Sequence, residues 1–91
     1  MVRFEWDSDR ERLNIENHGV DFWTAMRAFN DPGRQIHFDA EHSQEETRLF
    51  CLGIVEGKIL TVRFVYREGN IRIFGAGYWR KGKEIYEKEK W

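Results

Sequence analysis

Between Phe22 and Phe29 the apolar residues Phe22, Ala25, Met26 and Phe29 recur at i, i+3, i+4 and i+7, the period of a helix with one buried stripe. Asp21 stands where its N-cap belongs, and Asp31-Pro32-Gly33 closes the segment. Upstream, residues 3–6 alternate as a short strand, and a first helix is expected after them. Ser8 with Glu11 three residues on has the form of a capping box, Leu13 and Ile15 are the apolar positions, and His18-Gly19 ends the helix. After Gly33 the period drops to two. Residues 34–39, 47–55, 58–66 and 71–77 read as strands, with a polar loop over 40–46 and turns at Glu56-Gly57 and around Gly69-Asn70. From Tyr78 helical spacing returns, with Tyr78, Gly82, Ile85 and Tyr86 on one side. The pattern predicts a single α+β domain over residues 1–91: two N-terminal helices packed on an antiparallel β-meander, plus a C-terminal helix.

Turn length converts this pattern into faces. A two-residue turn at Glu56-Gly57 sets Phe50 opposite Arg63, and one at Gly69-Asn70 sets Arg67 opposite Arg72, Val65 opposite Phe74 and Arg63 opposite Ala76. One face then carries Arg48, Phe50, Arg63, Arg67, Arg72 and Phe74; the other carries Leu49, Cys51, Leu60, Val62, Phe64, Tyr66, Ile71 and Ile73. The apolar face calls for both early helices as its cover, with Trp6, Trp23 and Phe29 in the core and Trp79 and Trp91 in the core or against a partner. Two readings of the arginines stand open. They form a surface for an anion, guanidinium groups interleaved with aromatics as single-stranded nucleic acid requires, or they pair with Glu45, Glu46 and Glu68.

Charge sharpens the choice. The net formal charge is only −1, but residues 1–62 hold seven basic and twelve acidic side chains (−5), and residues 63–83 hold six basic and one acidic (+5). So polarised a chain can present a positive surface while remaining near neutral. No apolar run approaches a membrane span and the N-terminus has no signal-like apolar core, so a cytoplasmic protein without a membrane partner is expected. The lone Cys51 cannot form an internal disulfide and falls on the apolar face as a small buried hydrophobe.

Gly75, Gly77 and Gly82 lack the order of a dinucleotide fingerprint and the Gly-Lys-Ser/Thr ending of a P-loop, so the stretch 72–83 reads as a strand-to-helix joint. The helix N-terminus it opens, with Arg80 and Lys81, suits a phosphate contact. His42, in a loop with Asp39, Glu41 and Glu45, is either a general acid or base or a surface histidine without a task. His18 reads as a cation at a helix C-terminus and His37 as a strand residue. No zinc spacing links the histidines and glutamates, and no metal or cofactor is expected.

Residues 4–32 carry Phe4, Glu5, Trp6, Asp7, Arg10, Asn14, His18, Gly19, Val20, Phe22, Ala25, Asp31 and Pro32 in an order that resembles the opening of the BrnT family, toxins of type II toxin–antitoxin pairs. The Asp39-x-x-His42-Ser43 stretch and residues 67–76 are similar to later parts of that family. The resemblance implies a RelE-like fold, a ribonuclease that arrests translation without a metal, and a BrnA-type antitoxin partner in an oligomeric complex. It also implies attack by the RNA's own 2′-hydroxyl, with basic groups stabilising the phosphoryl oxygens. On that reading His42, Arg63, Arg72, Arg80 and Lys81 are the catalytic candidates, and Arg48, Phe50, Arg67, Phe74 and Lys83 the RNA contacts. The chain departs from the family's Ser-Ala-Arg strand end, where it has Gly75-Ala76-Gly77, and the basic residues move on to Arg80, Lys81 and Lys83. A non-catalytic RNA- or protein-binding module of the same fold is the alternative.

Overall fold

Two Glu-Gly pairs set the register of the sheet. The computed structural model describes residues 2–89. In it Glu56 and Gly57 have φ of 53° and 79°, and Glu68 and Gly69 have 52° and 81°. Left-handed backbone at both central residues gives the tight turn whose twist matches that of the strands it joins. Around these turns run β3 (Leu49–Val55), β4 (Lys58–Arg67) and β5 (Asn70–Gly77), with β2 (Gln35–Phe38) antiparallel on the far side of β3. β1 (Phe4–Trp6) adds to the outer edge of β5 in parallel, Phe4 opposite Ile71, giving the order β1-β5-β4-β3-β2. The sheet is therefore mixed, where a purely antiparallel meander was expected.

Phe50 faces Arg63 as turn parity predicts. The second turn falls one residue earlier than expected, so Arg67 faces Asn70 and Val65 faces Arg72. The predicted pairs Arg67–Arg72 and Val65–Phe74 do not form. Their strands slip by two residues in total, which leaves the side chains from Asn70 to Ile73 on their predicted faces. Past Phe64–Ile73 a bulge at Phe74 sets Arg63 opposite Gly75, not Ala76, and returns Ala76 to the core beside Val62.

The apolar face is covered by α2 (Phe22–Met26) and the 3₁₀ turn that continues it (Arg27–Asn30), which bury Phe22, Ala25 and Ala28 against Cys51, Val62, Phe64 and Ile73. Asp21 caps α2 through Thr24 N at 2.8 Å, and that hydrogen bond holds its carboxyl below the usual range. Burial of a side chain such as Phe22 contributes about 2 kcal/mol. α1 (Ser8–His18) does not share this role: Leu13 and Ile15 are half exposed, and its buried residue is Asn14. The Asn14 carboxamide accepts from Ala76 N at 3.1 Å and donates to Ala76 O at 2.9 Å and Val20 O at 2.8 Å. It continues the hydrogen bonding of β5 where β1 has ended, and leaving those groups unpaired would cost about 1–3 kcal/mol. The N-cap of α1 is Asp7, bonded to Asp9 N, and not Ser8; Glu11 instead accepts from Phe22 N at 2.9 Å. Trp23 is 69% exposed, its indole edge-on to Trp6, so only Trp6 and Phe29 of the expected aromatics pack on the core. Trp91 lies outside the described residues.

α3 (Arg80–Lys88) packs on the arginine side of the sheet, over the half nearest the β3–β4 turn. Gly82 lies so close to Thr61 that a methyl group there would collide with its hydroxyl and press on Leu52. At the other end of the helix Tyr86 OH donates to the Asp31 carboxylate at 2.8 Å, and the Gln35 amide donates to Tyr86 O at 3.0 Å. The arginine face is thus divided: one half lies under α3, and the half toward the β4–β5 turn is open.

Candidate nucleic-acid interface

The 39–48 loop is tied by one serine. Ser43 Oγ donates to Asp39 O at 2.6 Å and accepts from Arg48 N at 2.9 Å, while Asp39 N donates to Arg48 O at 2.8 Å. The Asp39 carboxylate contacts His42 Nδ1 at 3.0 and 3.1 Å. That contact fixes the ring and leaves Nε2 as the nitrogen available to a ligand. The Asp-x-x-His-Ser spacing thus has a physical meaning: Asp39 orients the imidazole, and Ser43 closes the loop that carries it.

The closed loop sets His42 at the rim of a cleft of about 330 Å³, with Phe50 from β3, Arg63 from β4 and Lys81 from α3. Four sequence-predicted site residues from four elements therefore meet. Arg48, Arg67, Arg72 and Phe74 occupy the open half of the same face, joined by Arg10 from α1 and by Glu46. The Arg48 and Arg63 guanidinium carbons lie 5.1 and 5.2 Å from the centre of the Phe74 ring. Among the described residues neither has a carboxylate partner.

The other two arginines are paired. Arg67 donates to both oxygens of Glu46, at 3.0 and 3.1 Å, and Arg72 donates to Glu5 at 2.9 Å. The hydrogen bond from Arg67, aided by the charges of Arg48 and Arg72, holds the Glu46 carboxyl below its usual range, and Glu46 raises Arg67 in return. Sequence reasoning offered Glu45, Glu46 and Glu68 as partners; Glu46 takes Arg67, and Glu5 takes Arg72 from β1. The phenyl rings are also engaged: Phe50 is stacked on His37 at 5.2 Å and 20°, and Phe74 already carries two guanidinium groups.

Arg80 and Lys83 do not join this group. They lie on the other side of α3, around a larger cleft of about 540 Å³ shared with Lys58 and Tyr78. A helix turns about 100° per residue, so Arg80 and Lys81 face different ways despite being neighbours. Trp79 lines both clefts, and its indole rests on Gly77 so closely that no side chain could stand there. That ring, with His18 edge-on at 5.1 Å, fills the space a side chain at Gly77 would take. Burial pushes the Cys51 thiol up to about 12, consistent with an inert buried sulfur. Among the described residues no group of three or more His, Cys, Asp or Glu could hold a metal ion, and no helix is long and apolar enough to cross a membrane.

Arg10 and Glu5 are the site residues to which sequence reasoning gave no role; Glu46 was among the arginine partners it offered, and Trp79 was placed in the core or against a partner. Arg10 had a signal in the family-like opening, one helical turn from Asn14. Glu5 stands in the same opening, but its pairing with Arg72 had no signal, because it depends on β1 joining the far edge of β5.

The family model described as ribonuclease toxin, BrnT, of type II toxin–antitoxin systems matches residues 6–83. Among solved structures, the crystal structure of the ribonuclease toxin BrnT from Brucella abortus is similar with a TM-score of 0.68 and 20% identity, over 87% of this chain and 97% of that one. At that identity the likeness concerns the α+β fold, three helices on a five-stranded mixed sheet. No curated protein matches the sequence. The family match runs from β1 into α3 and so takes in the Asp39–His42–Ser43 loop, the arginine face and the start of the last helix: this chain belongs to the BrnT family of type II toxins.

Proposed function

We propose that the chain is the toxin of a type II toxin–antitoxin pair and a metal-independent endoribonuclease of RelE-like type that arrests translation in the cytoplasm. The observation that carries this reading is the convergence of an oriented imidazole, Arg63 and Lys81 on one cleft beside the unpaired Arg48. The substrate's 2′-hydroxyl attacks the adjacent phosphorus, the bond to the 5′-oxygen breaks, and a 2′,3′-cyclic phosphate and a 5′-hydroxyl result. His42 Nε2 gives a proton to the departing 5′-oxygen, the 2′-hydroxyl proton passes to water, and Asp39 holds the ring in place. Arg63 and Lys81 stabilise the charge that develops on the phosphoryl oxygens. Arg48 and Arg10 position the neighbouring phosphate. An antitoxin of BrnA type neutralises the toxin in an oligomeric complex.

Incubation of the purified protein with single-stranded RNA in EDTA tests this. Fragments ending in cyclic phosphate are expected, and their loss in Arg63→Ala together with relief of growth arrest in a host expressing that variant. Growth arrest that survives Arg63→Ala removes the site assignment. A second reading, a non-catalytic RNA- or protein-binding module, is favoured by Trp79 filling the space a basic side chain at Gly77 would take. Salt-sensitive RNA retention without cut ends would select it.

A further inference from the structure

The chemistry proposed above uses Lys81 and leaves its neighbours on α3 without a task. Arg80 and Lys83 instead line the 540 Å³ cleft at the end of the sheet together with Lys58, the first residue of β4. Among the described residues none of these three cations has a carboxylate within ion-pair distance. Glu87 is the one acid lining the cleft, so three positive charges against one negative leave a balance of +2. The Lys58 ammonium lies 4.8 Å from the centre of the Tyr78 ring, which occupies that ring with a cation. The cleft therefore offers charge and hydrogen-bond donors beside the Trp79 indole.

The carriers of these cations are fixed. Gly82 against Thr61 and Tyr86 on Asp31 hold α3 at both ends, and the Glu56-Gly57 turn presents Lys58. Three like charges that share a cleft with a single acid, Glu87, repel one another, and a polyanion in the cleft relieves that repulsion. The Trp79 indole lines this cleft and the His42 cleft alike, so the two are neighbours across one ring.

We propose that this cleft is a second phosphate subsite, which takes the RNA strand as it leaves the arginine face around the Trp79 wall. The inference rests on the RNA-cleaving reading above and adds to it a binding register: the cut lies at His42 and Arg63, and a flanking segment of the same strand is held by Lys58, Arg80 and Lys83. Contact to phosphates alone carries no base preference and a steep dependence on salt.

The test compares wild type with the combined variant Lys58→Ala/Arg80→Ala/Lys83→Ala, on strands of about four and about twenty nucleotides. Circular dichroism checks that these exposed changes leave the fold intact. The short strand should be cut by the variant within about twofold of wild type. The long strand should show KM raised about tenfold with kcat unchanged, and a slope of log affinity against log salt shallower by about 2, three contacts at about 0.7 each. Unchanged KM and salt slope on the long strand would overturn the subsite. So would equal loss of kcat on both strands, which would place the cations at the cut itself. Wild type that neither binds nor cuts either strand would reject the RNA reading, and the subsite with it, and is distinguishable because it appears before any substitution is made.

Discussion

Arg48 and Arg63 share a sheet face with Arg67 and Arg72, yet the two pairs differ in electrostatic state. The outer pair, near the β4–β5 turn, is neutralised by Glu46 and Glu5 at hydrogen-bond distance. The inner pair leans on Phe74 and has no carboxylate partner among the described residues. A phosphate arriving at the outer pair must displace a carboxylate, while at the inner pair it meets guanidinium groups already ordered by an aromatic ring. Residue type and face alone do not make a site; what decides is whether the rest of the fold supplies a counter-charge.

The largest test of this contrast is a pair of single substitutions. Arg63→Ala should lower single-turnover cleavage by about 10²–10³-fold, whereas Arg72→Ala should lower it less than about tenfold, because that guanidinium is already committed to Glu5. Equal losses would mean the carboxylates do not shield the outer pair. Phe74→Leu comes next: without a ring to hold them, Arg48 and Arg63 lose their order, and RNA affinity measured by fluorescence anisotropy should fall about fivefold. Retained affinity would show that the ring does not organise the cations.

Glu46→Gln should act in the opposite direction. Releasing Arg67 is expected to tighten RNA binding about threefold and to steepen the salt slope by about 0.7, one added phosphate contact. An unchanged slope would show that Arg67 does not reach the strand. The smallest effect concerns acid. The carboxyls of Glu46 and Asp21 sit below their ordinary values of 4.5 and 3.8. The stability each adds is therefore fully present above its ordinary value and is lost as pH falls through the lowered one. Denaturant melts of wild type and Glu46→Gln should run parallel from neutral pH to about 4.5 and converge only below it; a difference that changes between pH 6 and 8 would contradict this origin.

Much of the fold could be read from short-range pattern. The i, i+3, i+4 stripe gave Phe22 and Ala25 as core, Asp21 as a cap, and Gly19 as the left-handed end of α1. Period-two alternation assigned Arg48, Arg63, Arg67 and Arg72 to one face, and that assignment survived the misplaced second turn because the slip was even. Trp23 was misjudged because a helix stripe is defined by what packs on it, and nothing among the described residues covers the outer side of α2 beyond Trp6. Leu13 and Ile15 misled in the same way: α1 is held through the amide of Asn14, whose partner is 62 residues away.

The candidate site was legible as residue types and only partly as a constellation. The loop motif Asp39-x-x-His42-Ser43 is local, so its closure could be expected to bring imidazole and carboxylate together. The division of Arg80 and Lys83 from Lys81 required knowing which side of α3 meets Thr61 and Leu52.

The order of residues by itself determined the elements, the two faces of the meander and the gathering of positive charge on one of them, because turn length and side-chain period act over a few residues. Only the tertiary structure decided which guanidinium groups remain unpaired, because Glu5 and Glu46 reach Arg72 and Arg67 across 67 and 21 residues of chain once β1 and the 39–48 loop have docked.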